Sequence, residues 1–137
     1  MTEANGGVDI PAEFNLEFPE DILTLAEQFH GEWCNGGFSQ LFSNWYPADV
    51  QLLPAGLKAI GALDVATTVQ AAIGLMGAPE RWRDKGHKAL IDPSDSLSPL
   101  LWELNKQIDE RALWKLIEDY ELKLSGADDA PGDKDMT

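Results

Sequence analysis

The sequence predicts an all-α fold, a single compact domain of about six helices in a chain of 137 residues. Apolar residues recur at the three- and four-residue spacing of amphipathic helices, and no stretch alternates with the period of two that is typical of a strand. The length fits one domain, and a hydrophobic fraction of 44% is enough to form a core. We expect a mobile leader over 1–15, the helical domain over 16–125 and a disordered acidic tail over 126–137.

The first helix is predicted over 19–33. Pro19 suits a first helical turn because its missing N–H is not needed there, and the two acids that follow it face the positive end of the helix dipole. An apolar stripe supports the assignment: Ile22, Leu25, Ala26, Phe29 and Trp33. The pair Gly36-Gly37 is predicted to break the chain before a short helix over 38–45.

The rest of the domain follows from the same signals. The predicted elements are a kinked or two-part helix over 48–61, a helix over 65–76 with Asp64 as N-cap, an irregular stretch over 77–93, a helix opened by Ser98-Pro99, and a last helix with Asp109 as N-cap. Together these segments give the all-α domain its expected core.

Acidic residues are distributed unevenly along the chain. The formal net charge is −14, and the first 57 residues hold nine acids and no Lys or Arg. Such a field repels phosphates, so direct binding to nucleic acid or to an anionic membrane is not expected. The partners that the charge favours are basic ones: a basic protein, a cation, or a surface that normally holds nucleic acid.

Five acids of the base-free segment are predicted to share the outer face of the first helix: Glu17, Glu20, Asp21, Glu27 and Glu32. Glu118 and Asp119 on the last helix extend this candidate partner-binding surface, although neighbouring basic residues dilute it. The alternative is a solvated face that only keeps the protein soluble.

The main cluster of basic residues lies in the irregular stretch: Arg81, Arg83, Lys85 and Lys88. We expect these cations to pair with the acidic block, either inside the fold or between the subunits of a dimer. An exposed loop without a specific role is the alternative.

Catalytic and metal-binding patterns are weak. Cys34 follows His30 by four residues, so a thiol–imidazole pair on one helix face is possible, but a structural cysteine is favoured. No EF-hand loop and no phosphate-binding glycine loop is present in the sequence. We therefore expect no catalytic residue, no metal and no cofactor. Without an apolar run of about 20 residues or a signal peptide, the protein is expected to be cytoplasmic, with no membrane partner.

A glycine-containing string follows the first helix, and we interpret its residues as scaffold: Asn35, Gly36, Gly37, Phe38, Gln40 and Asn44. Gln40 and Asn44 share a helix face and are expected to bond to loop backbone. Together with Ala59-Ile60-Gly61-Ala62 and the closing stretch 101–120, this string resembles the DMP-type DNA-mimic family. The resemblance covers roughly residues 17–124.

The resemblance implies a small, acidic, all-helical bacterial domain. It also implies a dimer whose surface carboxylates imitate DNA phosphates, occupy the DNA-binding face of a transcription factor and so relieve repression. Other functions stay open on the residues alone. They are an immunity protein that neutralises a nuclease toxin, an acidic domain without mimicry, and a hydrolase or metal enzyme at His30 and Cys34.

Overall fold

A long helix, α1 (Pro19–Asn44), lies at the centre of the fold and packs against four of the other helices. The computed structural model describes residues 12–126, so most of the predicted leader and tail lies outside the described residues. The remaining helices are α2 (Pro47–Ala59), α3 (Leu63–Met76), α4 (Trp82–Ile91), α5 (Leu97–Asn105) and α6 (Glu110–Ser125). The described chain contains no strand, which confirms the predicted all-α domain.

A kink divides α1 into a front part and a rear part. Gly37 has φ 70° and ψ −163°, a conformation outside the helical region, in the middle of the helix. The interruption predicted at the glycine pair is present at Gly37 alone, and the predicted end of the first helix at 33 is wrong, because the helix runs on through Gly36. The front part buries four residues of the predicted stripe, and the fifth, Trp33, is partly buried. The rear part buries a second set of side chains: Phe38, Leu41 and Phe42.

The rear part of α1 packs closely against α4. The Trp82 ring is 2% exposed and meets the Phe42 ring edge-to-face, with 5.4 Å between centroids. Gly86 makes this approach possible, since a Cβ atom at that position would lie 2.7 Å from the backbone nitrogen of Ser43 and 2.8 Å from Phe42 Cβ. Two helices in such close contact bury a large shared surface.

The prediction of an irregular stretch over 77–93 is wrong, because α4 occupies most of it after a short 3₁₀ turn, Pro79–Arg81. The buried face of α4 consists of Trp82, Gly86 and Ala89. Two of these three residues are small, so hydrophobic periodicity does not reveal the helix.

The observed helix ends agree only in part with those predicted from the sequence. Asp109 caps α6 as predicted, its side chain accepting the N–H of Ala112 at 3.1 Å. The assignment of Asp64 as an N-cap is wrong, because α3 begins at Leu63, two residues earlier than predicted, with Ala62 as its N-cap. Of the two forms predicted for 48–61, a kinked helix or a two-part helix, the two-part form is wrong, because α2 is one helix that runs through Pro54. Among the described helices, none is long and apolar enough to cross a membrane.

One acid of the base-free segment is buried instead of lying on the surface. Asp49, in the first turn of α2, is 4% exposed, and its Oδ1 accepts the N–H of Glu13 at 2.7 Å. The Phe14 ring next to this contact stacks on Trp45 with 6.4 Å between centroids. Burial raises the pKa of Asp49. Because it accepts the N–H of Glu13, the Asp49 carboxylate holds the segment before α1 against the domain.

Candidate functional site

Three carboxylates at the start of α1 and on its outer side have no partner in the fold. Glu17 and Glu20 are exposed, and Glu27 is partly exposed. Between residues 12 and 126, no hydrogen bond or ion pair reaches the side-chain oxygens of these three residues. We call Glu17, Glu20 and Glu27 the acidic face.

The two other acids predicted for this surface bond within the molecule. Asp21 Oδ2 accepts the N–H of Asn15 at 2.8 Å. The Glu32 carboxylate accepts from the side-chain amide of Asn44, which therefore does not serve the loop backbone as expected. Since both carboxylates hold segments of their own chain, they contribute less to a surface that is available to a partner.

The acids of α6 are in a different electrostatic setting. Glu118 and Asp119 are exposed, but Lys115 Nζ donates to Asp119 Oδ1 at 2.7 Å. The hydrogen bond to Asp119 and its charge raise the pKa of Lys115. This i,i+4 pair partly neutralises the outer side of α6. Within the described chain, no hydrogen bond or ion pair joins it to the acidic face.

Two cations of α4 bond to the ends of other helices. Arg83 Nε donates to the carbonyl of Ser43 at 3.3 Å, and its guanidinium lies 5.2 Å from the centre of the Tyr46 ring. Lys85 Nζ donates to the carbonyl of Met76 at 3.0 Å. These carbonyls belong to the last turns of α1 and α3, where the helix dipole favours positive charge.

The predicted pairing of the basic cluster with the acidic block inside the fold is wrong for the described residues. Lys88 lies 3.9 Å from Asp95, an acid beyond the base-free segment, and Arg81 is exposed. The alternative of an exposed loop is also wrong, because three of the four residues belong to a helix. The cations next to α1 therefore leave the acidic face unneutralised. Pairing across a dimer stays a prediction.

The glycine-containing string forms the kink of α1 and its contact with α5. The conformation of Gly37 leaves the N–H of Phe38 outside the helical pattern, and Asn105 Oδ1 accepts it at 3.0 Å. A Cβ atom at Gly37 would lie 2.4 Å from Asn105 Nδ2. Phe38 itself is fully buried. These residues have structural contacts, as the scaffold interpretation expects.

A cavity of about 750 Å³ borders the same string. Asn35, Gly36 and Gly37 line one side, and side chains of α4, α5 and α6 line the other. Gly36 packs against Gln40, whose Oε1 would lie 2.3 Å from a Cβ atom at Gly36. The cavity therefore opens beside residues whose positions are fixed by packing.

One edge of this cavity brings together a thiol, an imidazole and a carboxylate. Cys34 Sγ lies 3.5 Å from His30 Nε2, and Glu110 Oε2 lies 2.6 Å from the same nitrogen. In a catalytic triad the carboxylate holds the other ring nitrogen, so the arrangement differs from one. Partial desolvation beside the cavity and the Glu110 carboxylate raise the pKa of the Cys34 thiol, although the residue is exposed. The sulfur is therefore protonated at neutral pH and has no features of an activated nucleophile.

Fold and surface together define a small, acidic, all-helical domain, and over residues 12–126 the three carboxylates of the acidic face, just before and along its central helix, have no partner. The sequence model of the DMP19-like protein family matches residues 15–126, and the chain belongs to this family. No curated protein and no solved structure matches the chain. Family membership confirms the family that the sequence resembles.

Two residues of this region have no signal in the sequence. Asn105 is 67 positions from Phe38, and Glu110 is 80 positions from His30. Both contacts depend on how α5 and the start of α6 pack against α1. Local spacing, which identified His30 and Cys34 as neighbours, contains no information on such distant partners.

Proposed function

We propose that the protein is a DNA mimic, a binding module whose acidic face occupies the basic, nucleic-acid-binding surface of a DNA-binding protein such as a transcription factor. One observation carries the proposal. Within the described residues, no basic side chain pairs with Glu17, Glu20 or Glu27, although basic side chains lie on α4, which packs against α1. Membership of the DMP19-like family supports it.

The spacing of the acids suggests how much of a DNA strand one helix imitates. Glu20 and Glu27 are seven residues apart, which is about 10.5 Å along a helix axis. Phosphates of one DNA strand are spaced by about 3.4 Å along the axis, so this separation corresponds to about three intervals. One helix therefore supplies the ends of such a run, and the intervening charges come from neighbouring elements or from a second copy in a homodimer.

The partner is defined by its chemistry. A surface rich in Lys and Arg that normally neutralises phosphates gains the same long-range attraction from these carboxylates. Since the charges are exposed, the association weakens as salt rises. Bound in this way, the protein competes with DNA and regulates transcription by removing a DNA-binding protein from its site.

The test compares two variants with the same change in net charge. The face variant carries Glu17→Gln, Glu20→Gln and Glu27→Gln, and the control carries Glu80→Gln, Asp84→Asn and Glu121→Gln, three exposed acids outside the proposed surface. Proteins captured from a lysate of the source organism at low and high salt are identified by mass spectrometry. The captured DNA-binding protein is then purified and titrated with each variant.

We expect the wild type to displace duplex DNA from that protein, and the face variant to bind at least about tenfold more weakly, since each exposed charge contributes up to about 1 kcal/mol. The control variant stays close to the wild type. Equal affinities of the two variants, or simultaneous binding of DNA and this protein, would contradict the proposal. A captured nuclease that loses its activity would instead indicate an immunity protein.

A further inference from the structure

The thiol, imidazole and carboxylate beside the cavity have the geometry of metal ligands. His30 and Cys34 are four residues apart on the front part of α1, so they lie on one side of the helix, and Glu110 is the first residue of α6. Their donor atoms, one nitrogen, one sulfur and one oxygen, all lie within 4.8 Å of one another. Two helices thus present three different donors to one point.

The nitrogen–sulfur distance agrees with a tetrahedral zinc centre, and the Glu110 carboxylate has to shift to complete one. With a Zn–N bond of about 2.0 Å and a Zn–S bond of about 2.3 Å, tetrahedral angles place nitrogen and sulfur about 3.5 Å apart. His30 Nε2 and Cys34 Sγ are 3.5 Å apart. Nitrogen and oxygen ligands lie about 3.3 Å apart in such a centre, and Glu110 Oε2 is now closer, at 2.6 Å. A tetrahedral centre also needs this oxygen about 3.5 Å from Cys34 Sγ, and the exposed Glu110 side chain can rotate to meet both distances.

The surroundings position the imidazole and leave one side of the cluster open. The Trp114 ring packs on His30 with 4.8 Å between centroids, which restricts the orientation of the imidazole. Cys34 and Glu110 both line the cavity. A fourth coordination position would therefore face that cavity and accept water or another small ligand.

We propose that His30, Cys34 and Glu110 bind a divalent transition-metal ion, of the zinc class, with one coordination position open to the cavity. Nitrogen and sulfur donors select such ions over calcium and magnesium, which prefer oxygen ligands. An ion at this point joins α1 to α6 and stabilises the fold by mass action. The site is separate from the acidic face and does not depend on the proposed mimicry.

The experiment titrates the reduced, full-length protein with Zn²⁺, followed by calorimetry and thermal unfolding in the presence of excess Mg²⁺. Magnesium occupies the many surface carboxylates, so a site built on sulfur and nitrogen remains visible as one equivalent of zinc per chain. Co²⁺ is used as a spectroscopic probe, because coordination by the thiolate gives a charge-transfer band that carboxylates do not give.

Three variants remove one ligand each: Cys34→Ser, His30→Gln and Glu110→Gln. The matched control is His87→Gln, which removes the other histidine of the chain, an exposed side chain on α4. We expect the ligand variants to bind Zn²⁺ at least tenfold more weakly and Cys34→Ser to lose the cobalt band. The control should stay within twofold of the wild type and keep the thermal shift on adding zinc.

Wild-type protein that shows no stoichiometric zinc binding in excess Mg²⁺ would overturn the proposal. So would a Cys34→Ser variant with unchanged affinity, or a His87→Gln variant that loses as much as the ligand variants. Circular dichroism checks that each variant is folded. If His30→Gln fails to fold, the zinc affinities of Cys34→Ser and Glu110→Gln decide the outcome, because both residues are exposed.

Discussion

The acidic face differs in its role from the two close contacts of α1 that involve Gly37 and Gly86. Glu17 and Glu20 are exposed, Glu27 is partly exposed, and none of the three belongs to the described core. Gly37 and Gly86 lie where backbone and side chains of other elements come within 3 Å of the position of a Cβ atom. Stability and the proposed binding are thus assigned to different residues. Changes at the glycines should act on folding, and changes at the acids should act on a partner.

The largest effect on stability is expected from Gly86→Ala. The added methyl group would lie 2.7 Å from the backbone nitrogen of Ser43, and backbone cannot move aside as a flexible side chain does. We expect α4 to be displaced from α1 and the free energy of unfolding to fall by about 3 kcal/mol. Urea denaturation followed by circular dichroism measures this loss.

Gly74→Ala is the matched control for this substitution. Gly74 also lies inside a helix, α3, but nothing lies within 4 Å of an added Cβ atom. Alanine forms helices better than glycine, so this variant should gain about 1 kcal/mol. A loss of stability in both variants, or in neither, would show that close contact at Gly86 does not determine the packing of α4.

A smaller loss is expected from Gly37→Ala, which tests the kink. Its φ of 70° and ψ of −163° fall in a region that only glycine adopts readily, and the methyl group would also contact the Asn105 amide. The backbone strain alone costs about 1–3 kcal/mol. Thermal and urea unfolding should both detect the change.

Asn105→Ala separates the two contributions at Gly37. Alone, this substitution leaves the N–H of Phe38 without its acceptor and costs about 1–3 kcal/mol. Combined with Gly37→Ala it removes the steric contact, so the double variant should lose less than the sum of the single losses. Strict additivity would mean that the Asn105 side chain does not restrict position 37.

The sequence predicted those elements whose signals are local. The apolar stripe of α1, the interruption at Gly37 and the cap at Asp109 each depend on residues within a few positions of one another, and all three are present. By contrast, α4 buries Trp82 and two small residues, so its pattern lacks the hydrophobic periodicity on which helix prediction depends.

The candidate sites were predictable only to the extent that their contacts are local. The outward position of the acids follows from helical spacing, but which of them lack a partner does not. Asp21 and Glu32 bond to their own chain, and Arg83 caps a helix that ends about 40 residues earlier. These outcomes depend on which elements pack together, and this packing is not visible in the order of residues.

The smallest expected effect concerns Asp49, an acid of the same base-free segment that belongs to the packed region. Its pKa is raised in the folded protein by burial, so the folded state keeps this proton to higher pH than the unfolded chain. Folded protein therefore binds more protons between the ordinary carboxyl pKa and the raised one. Across that window, the contribution of Asp49 to stability falls as pH rises.

Asp49→Asn removes this titration and keeps an oxygen that accepts the N–H of Glu13. Relative to the wild type, the variant should therefore gain stability as pH rises through the window, and the difference should be constant above it. Urea denaturation at a series of pH values from about 3 to about 7 measures the difference. Asp49→Ala is the control, because it also removes the acceptor and should lie about 1 kcal/mol below Asp49→Asn at every pH. A difference between wild type and Asp49→Asn that is independent of pH would place this carboxylate with the solvated acids of the surface. A difference that falls as pH rises would mean that its backbone hydrogen bonds outweigh burial and lower its pKa.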